Sequence, residues 1–452
     1  MSTSSSSSTS PAEEVQGGDG GEGQGGGGFE GPSSSRRRMR SSNGVWPDPF
    51  VEALAFQVAI DASRNIGRLA AAQALFNIFQ VCSTWRAISR SERLWQNVTQ
   101  HIWNIRHRLH DTWREEYIFR HRTAANFRLH RYEYTTLHFV PTDSNNSDSL
   151  SCRRLALSDH HLAAGFFDGS VQLFHLPTRL HLSTFYPQPR DRLGHFSTAI
   201  SGIILSDTQL VFATLDGDIH IAVINAVAPL RRALVGDVVN DGVLVDFTGC
   251  NQWWVGLYAG APGRAFHVWN SETEELVYVG GVLTDPDAVM GWHLLNELTE
   301  LIGRVRVASH GTAVACTSLR ILVLDLTNQG IVLQEEEIPR GITVSCFDTN
   351  EESMVIVDSR TMASVRRVDT LEEICRFRVR GASQRGILGC VNGGYGLMCA
   401  GGVIRVWEIE HGSYLYNFRE RIGKCNALIA DERHVAACSA DATIHLWDFG
   451  AQ

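Results

Sequence analysis

Residues 443–449 read TIHLWDF, and this short stretch decides the fold because versions of it recur along the chain. The other versions are SVQLFHL (170–176), DIHIAVI (218–224), AFHVWNS (265–271), RILVLDL (320–326), SVRRVDT (364–370) and VIRVWEI (403–409). The aligned positions are Phe174, Ala222, Trp269, Leu324, Val368, Trp407 and Trp447, spaced by 48, 47, 55, 44, 39 and 40 residues. A sustained period of about 40–45 residues is typical of propeller blades. Seven versions therefore predict a seven-bladed β-propeller.

The ends of these strands and the turns before them carry a second signal. Trp447-Asp448 matches the dipeptide of WD repeats, and Trp407-Glu408 and Trp269-Asn270 are variants of it. Turn sequences lie where a tight hairpin should precede the strand, namely FFDGS (166–170), LDGD (215–218) and SADAT (439–443). The fold class is therefore mainly β, and the repeats resemble WD repeats.

The last repeat leaves its blade one strand short. Few residues follow TIHLWDF, so an outermost strand would be missing and an unpaired edge would remain. YEYTTLHFV (132–140) alternates like a strand and precedes the first repeat. We expect it to complete the last blade and close the ring, which assigns residues 132–452 to the propeller.

The composition excludes several functional classes. Of 452 residues, 44% are hydrophobic, and the net charge of −9 argues against general nucleic-acid binding. The ten cysteines form no C-x-x-C pair, so we expect no metal site and no cofactor. No apolar run is long enough to span a membrane, and no secretory signal is present. None of the common catalytic motifs occurs, so the sequence predicts a non-enzymatic protein.

Lysine is almost absent from the chain. Of the 40 basic residues, one is lysine, Lys424, and the others are arginine. Codon bias explains this, and so does selection against lysine acceptors in a protein that works beside ubiquitin transfer. The sequence leaves both explanations open.

Residues 1–44 form a leader of low complexity. A serine tract and a glycine-rich tract precede RRRMR (36–40), and such a segment cannot bury enough apolar surface to fold. We expect a disordered leader. The arginine cluster is either a nuclear localisation signal or a solvated run of charge.

Residues 45–99 have helical periodicity instead. The stretch VCSTWRAISRSERLWQNVT (81–99) carries two tryptophans ten residues apart, and WPDP (46–49) marks the start of the region. This region resembles an F-box, with Trp46-Pro47 where Leu-Pro is usual. The segment between Ile60 and Leu75 is longer than in the family, which leaves the helix register open there. The resemblance implies that the adaptor-binding residues are Trp46, Pro47, Phe50, Leu54, Leu75, Ile78, Val81, Cys82, Trp85, Ile88, Leu94 and Trp95.

An F-box followed by a propeller is the architecture of substrate receptors in Skp–cullin–F-box ubiquitin ligases. The resemblance implies a Skp-type adaptor and a cullin as partners of the F-box, and a protein substrate on the propeller. Residues 45–452 as a whole resemble a plant transcriptional regulator of this architecture. That implies a nuclear protein, with the cytoplasm as a second compartment, which controls transcription regulators in flower and organ development. A propeller scaffold without a ligase role is a further alternative.

Residues 100–131 connect the two parts and are rich in arginine and aromatic residues. One interpretation is a DNA-binding surface, with arginine on phosphates and aromatic rings on bases, which would make the chain a DNA-binding transcriptional regulator. The other is a helical linker whose aromatic side chains pack between F-box and propeller. We favour the linker, and expect Trp103, Trp113, Tyr117 and Phe119 to pack.

The substrate surface is predicted from three arginines. Arg264, Arg320 and Arg360 occur in or beside the hairpins of three consecutive blades, which belong to one rim of the ring. A guanidinium group offers a fork of donors that suits carboxylate or phosphate. We expect these arginines to bind an acidic or phosphorylated substrate segment, with scattered solvated arginines as the alternative.

Overall fold

The computed structural model describes residues 46–105, 107–139, 151–188, 195–225, 229–281, 303–309, 311–317, 320–339, 342, 344–381 and 386–450. Within these ranges, five α-helices precede twenty-eight strands. The predicted leader lies outside the described residues.

The five helices form a small helical module. Their bounds are α1 (Asp48–Ile66), α2 (Ala70–Phe79), α3 (Ser83–Ile88), α4 (Glu92–Trp103) and α5 (Trp113–Arg128). At the start of α4, the Ser91 hydroxyl accepts a hydrogen bond from the amide of Leu94, and Asn104 ends the helix with a positive φ of 51°. A capping box of Thr112 and Glu115 begins α5.

The strands form seven sheets of four, which we call blades. Blade 1 contains β2 (Cys152–Leu157), β3 (His161–Phe166), β4 (Val171–His175) and β5 (Leu180–Phe185). Blade 2 contains β6 (Ile200–Leu205), β7 (Gln209–Thr214), β8 (Ile219–Val223) and β9 (Arg231–Leu234). Blade 3 contains β10 (Gly242–Gly249), β11 (Trp253–Gly260), β12 (Phe266–Asn270) and β13 (Leu276–Gly280).

The remaining blades follow the same order. Blade 4 contains β14 (Arg304–Ser309), β15 (Thr312–Cys316), β16 (Arg320–Asp325) and β17 (Ile331–Glu337). Blade 5 contains β18 (Val344–Thr349), β19 (Ser353–Asp358), β20 (Met362–Arg367) and β21 (Glu373–Arg378). Blade 6 contains β22 (Leu388–Asn392), β23 (Tyr395–Ala400), β24 (Val403–Glu408) and β25 (Ser413–Asn417). Blade 7 contains β26 (Cys425–Ala430), β27 (His434–Ser439), β28 (Ile444–Asp448) and β1 (Glu133–Leu137).

The first strands of the blades line the centre of a closed ring. Each of them contacts the first strands of the two neighbouring blades, and β26 of blade 7 contacts β2 of blade 1. The second strand of every blade is almost wholly buried, because both of its faces are covered by neighbouring blades. The prediction of a seven-bladed propeller behind a small helical region is confirmed.

The recurring stretch is the third strand of each blade, as its spacing predicted. In blade 7, Trp447 pairs with Val435 of the second strand, and the same position of blade 6 is Trp407, opposite Gly396. In blade 5, the residue at this position is Arg366, opposite Met354, so the sequence alignment of Val368 was wrong by two residues. The strand has no tryptophan to mark the register.

The ring closes as the sequence predicted. Strand β1 pairs antiparallel with β28, with Glu133 opposite Asp448 and Leu137 opposite Ile444. Leu137 is 1% exposed and lies in a cluster with residues of blades 1 and 7. Blade 7 therefore takes its outer strand from the beginning of the propeller sequence and its inner three from the end.

Candidate partner-binding surfaces

The residues that resemble an F-box divide into a core group and an exposed group. The core group is buried in the helical module and comprises Leu75, Ile78, Ile88, Leu94 and Trp95. The Trp95 indole Nε1 donates a hydrogen bond of 2.7 Å to the Ser89 carbonyl, which ties α4 to the end of α3. These residues build the module.

Five other residues of the F-box pattern are exposed. They are Trp46, Pro47, Phe50, Val81 and Cys82, with Trp46 54%, Phe50 47% and Val81 61% accessible. Leu54 and Trp85 are half-buried, and Trp85 packs against the core of the module. The apolar side chains of this exposed group are unfavourably hydrated when the chain is alone. Exposed apolar residues of this kind are typical of a surface that binds another protein.

Two further exposed apolar residues of α1 and α2 lie outside the predicted F-box pattern. Phe76 on α2 is 54% accessible, and Ile66 at the end of α1 is 73% accessible. The signal for Phe76 was present, because it follows the buried Leu75 by one position and so faces about 100° away on the helix. The apolar surface of the module is therefore larger than the F-box pattern alone indicated.

The described residues of the segment 100–131 pack against the helical module and the ring. Trp103 and Tyr117 are buried in the module core, and Trp113 packs against that core. Phe119 is half-buried, with the His110 ring 4.7 Å away and the Arg433 guanidinium 5.7 Å away, centre to centre. All four aromatic side chains therefore make packing contacts within the protein. Helix α4 continues to Trp103, beyond the predicted domain boundary at residue 99.

Helix α5 attaches the module to blades 6 and 7. Phe127 is 1% exposed, and its ring lies 4.4 Å from Phe449 and 4.6 Å from Tyr395, measured between ring centres. The Asn126 side-chain amide donates to the Phe449 carbonyl at 2.9 Å, and the Tyr416 hydroxyl donates to the Phe127 carbonyl at 2.6 Å. The contact is thus both apolar and hydrogen-bonded.

A buried ion-pair network adds to this attachment. The Glu116 carboxylate is fully buried and accepts hydrogen bonds from Arg120 Nε at 2.8 Å and from the Leu109 amide at 2.9 Å. Burial alone would raise the pKa of Glu116, but the hydrogen bonds from His110, Arg120 and Leu109 bring it below its usual value. Arg120 Nη1 also contacts Glu432, in the first turn of blade 7, at 2.9 Å.

The module therefore covers one end of the ring, which we call the helix end. Turns between first and second strands lie there, and Arg68 after α1 reaches Glu432 at 3.7 Å. Turns between second and third strands lie at the other end of the ring, which we call the opposite end. A partner bound at the opposite end would not meet the helices.

The three predicted substrate-binding arginines lie at the opposite end, on blades 3, 4 and 5. Two of them already bind carboxylates: Arg264 Nη2 lies 2.6 Å from Asp241, and Arg320 Nη1 lies 2.5 Å from Glu335. Arg360 is exposed, and within the described residues its guanidinium has no carboxylate partner. The anion-binding capacity of this set is therefore concentrated at Arg360.

Comparison with known proteins identifies the family. No family model matches the chain. The chain is 58% identical over 428 residues to the transcriptional regulator STERILE APETALA of Arabidopsis thaliana, which covers 94% of this chain and 96% of that protein. The chain belongs to the STERILE APETALA family. The resemblance inferred from the leader, the F-box pattern and the poor repeats is thus confirmed.

Among solved structures, the computationally designed Ika8 protein is similar to this member of the STERILE APETALA family. The two share 18% sequence identity, over 66% of this chain and 83% of that chain, with a TM-score of 0.46. So distant a likeness carries no argument, and the fold assignment rests on the seven sheets. None of the helices in the described part of this family member has the length and apolar character of a membrane span.

Proposed function

We propose that this chain is the substrate-recognition subunit of a Skp–cullin–F-box ubiquitin ligase and that its substrates are transcription regulators. The Arabidopsis relative is named a transcriptional regulator, which supports a nuclear role in transcription for this chain. On this proposal the chain catalyses nothing itself. It binds a Skp-type adaptor, and through it a cullin, at one surface and a substrate at another.

The observation that carries the proposal is the division of the F-box residues. A buried set, such as Leu75 and Trp95, supports a folded module, while Phe50 and Val81 leave apolar side chains in solvent. Large apolar side chains that fill a partner's groove commonly dominate the energy of such an interface. Helix α5 fixes the module to the ring. An adaptor bound to the module would therefore lie at a constant distance from the opposite end of the ring.

The adaptor surface is tested by placing charge on the exposed apolar residues. Phe50→Arg and Val81→Arg in the full chain should each weaken binding of a purified Skp-type adaptor by roughly tenfold or more, because a buried arginine without a partner is costly. Leu180→Arg on β5 of blade 1 is the matched control, since Leu180 is 62% exposed and lies on the propeller. Unchanged adaptor binding in both module variants would contradict the proposal.

Trp85 needs a different interpretation from Pro47 and Val81. Trp85 is half-buried against the module core, so Trp85→Ala should lower both stability and adaptor binding. Pro47→Ala and Val81→Ala change exposed side chains and should lower binding alone. Circular dichroism of each variant separates the two effects.

We propose the opposite end of the ring as the substrate surface. Arg360→Glu should weaken capture of an acidic substrate more than Arg264→Glu or Arg320→Glu, because the last two side chains already pair with Asp241 and Glu335. The triple variant should abolish capture while adaptor binding persists. Substrate turnover in cells that is unaffected by the triple variant would place the substrate elsewhere.

A further inference from the structure

The centre of the ring holds a polar cavity that the adaptor role does not use. Its volume is about 600 Å³, and the first strands of the blades line it. The end of α4, from His101 to Asn104, and the Arg68 side chain line it at the helix end. A cavity of this size fits a small molecule.

The cavity wall contains a cluster of three arginines around one carboxylate. Asp246 is fully buried, and its oxygens lie 3.2 Å from Arg154 Nη2 and 2.9 Å from Arg306 Nη1. Arg304 Nη1 is 3.7 Å from the same carboxylate, too far for a hydrogen bond. Asp348 is the second acid, 3.2 Å from Arg306 Nε. Three guanidinium groups thus face two carboxylates.

The positive charge is not balanced within this cluster. Burial lowers the pKa of Arg154 well below its usual range, and the neighbouring charge of Arg304 lowers it further. Burial also raises the pKa of Asp348, and the neighbouring Arg306 guanidinium opposes that rise. Excess charge held away from bulk water is costly unless a counter-charge accompanies it.

The other acidic residues of the cavity lie apart from the cluster. Glu351, Glu352, Asp431 and Glu432 belong to turns at the helix end, and Glu432 already pairs with Arg120 and Arg68. The cavity is therefore acidic next to the helices and basic toward the opposite end. Its basic part offers the donors of the Arg304 guanidinium, which makes no hydrogen bond within the described residues.

We propose that the central cavity binds a small phosphate-bearing molecule, with Arg304 and Arg306 as its principal ligands. Guanidinium donors in a fixed fork match the oxygens of phosphate, and a bound anion would offset the excess positive charge. The proposal is independent of the ubiquitin-ligase role, because it uses neither the module surface nor the rim arginines.

Thermal unfolding and calorimetry of the purified full chain test the proposal. Pyrophosphate and inorganic phosphate serve as probes, with sodium chloride added to equal ionic strength. Both should raise Tm, and pyrophosphate should bind more tightly because it carries more charge. Arg304→Gln should weaken pyrophosphate binding by roughly tenfold or more, and Arg304→Lys should retain part of it.

The control variant and a peptide probe make the test decisive. Arg376→Gln changes an arginine on β21 that is 56% exposed and paired with Glu373, and it should leave pyrophosphate binding unchanged. Arg304→Gln should also stabilise the anion-free protein, since it removes crowded positive charge. Equal binding by the wild type and Arg304→Gln, or no anion effect beyond that of sodium chloride, would overturn the proposal. So would pyrophosphate binding that depends on Arg360 and persists in Arg304→Gln.

Discussion

Blade 7 and the other six blades are built differently. Blades 1 to 6 are each formed by one continuous stretch, whereas blade 7 combines β26–β28 with β1. Blade 7 also carries Phe449 and Glu432, both of which bind helix α5. The difference shows that the blade that closes the ring also holds the helical module, together with blade 6, so changes there should affect the whole chain.

The largest expected effect is at the contact between α5 and the last two blades. Phe127→Ala should lower the free energy of unfolding by about 3–5 kcal/mol, because the ring is buried among aromatic side chains and a cavity would remain. Phe76→Ala is the matched control, since the Phe76 side chain is half in solvent. Chemical denaturation of the two variants measures the difference, and equal losses would refute the anchoring role of blade 7.

A substitution in the closing strand should have the second largest effect on stability. Leu137→Ala in β1 should cost about 3 kcal/mol, because Leu137 fills the cluster between blades 7 and 1. Leu180→Ala in β5, an outer strand of a continuous blade, should cost far less because Leu180 is exposed. If the two leucines contribute equally by denaturant titration, the closing strand is no different from the other outer strands.

The buried ion-pair network should contribute less to the free energy of unfolding than either of these apolar contacts. Glu116→Gln should lower the free energy of unfolding by about 2 kcal/mol at neutral pH, because it removes the charge that binds Arg120 and His110. Glu373→Gln, at an exposed pair with Arg376, should change it by at most about 0.5 kcal/mol. A comparable loss in both variants would argue against a special role for the buried network.

The contribution of Glu116 should also depend on pH. Its pKa is lower in the folded protein than the usual value of 4.5, so the folded state binds the proton less readily than the unfolded chain. The stabilisation is therefore complete above about pH 4.5 and is lost as the pH falls through the folded pKa. The stability difference between wild type and Glu116→Gln, followed from pH 7 downward, should shrink in that window. A difference that stays constant would contradict this assignment.

The smallest effect is expected from the exposed arginines of the segment 100–131. Arg108→Glu and Arg128→Glu should change the free energy of unfolding by less than about 0.5 kcal/mol, since both side chains lie in solvent. The third arginine of interest, Arg106, lies outside the described residues. Salt-dependent DNA binding by the wild type that these substitutions abolish would instead favour the DNA-binding interpretation.

The repeats made the fold predictable from the sequence. Each blade repeats the same spacing and turn. A misalignment within one blade, such as that of Val368, therefore does not change the predicted number of blades. The closing strand was predictable as well, because β28 needed a partner and YEYTTLHFV was the free strand. Each repeat is therefore an independent indication of the same blade structure.

The helical module offered no such repetition. Its pattern identified the module, but it did not separate the buried Leu94 from the exposed Val81, because that depends on how the helices pack. The Glu116 network joins residues 312 positions apart, from Arg120 to Glu432, and local sequence carries no signal for such a pair. The arginine cluster around Asp246 was missed for the same reason.

The pairing of β1 with β28 also determines when the ring can close during synthesis. Translation releases β1 before blades 1 to 6 and β28 after them, so β1 remains an unpaired edge until all of these blades have left the ribosome. The docking of helix α5 on the ring is delayed as well, because its binding surface includes Phe449, which directly follows β28. A premature stop before β28 would therefore leave the ring open and remove the contact of helix α5 with Phe449.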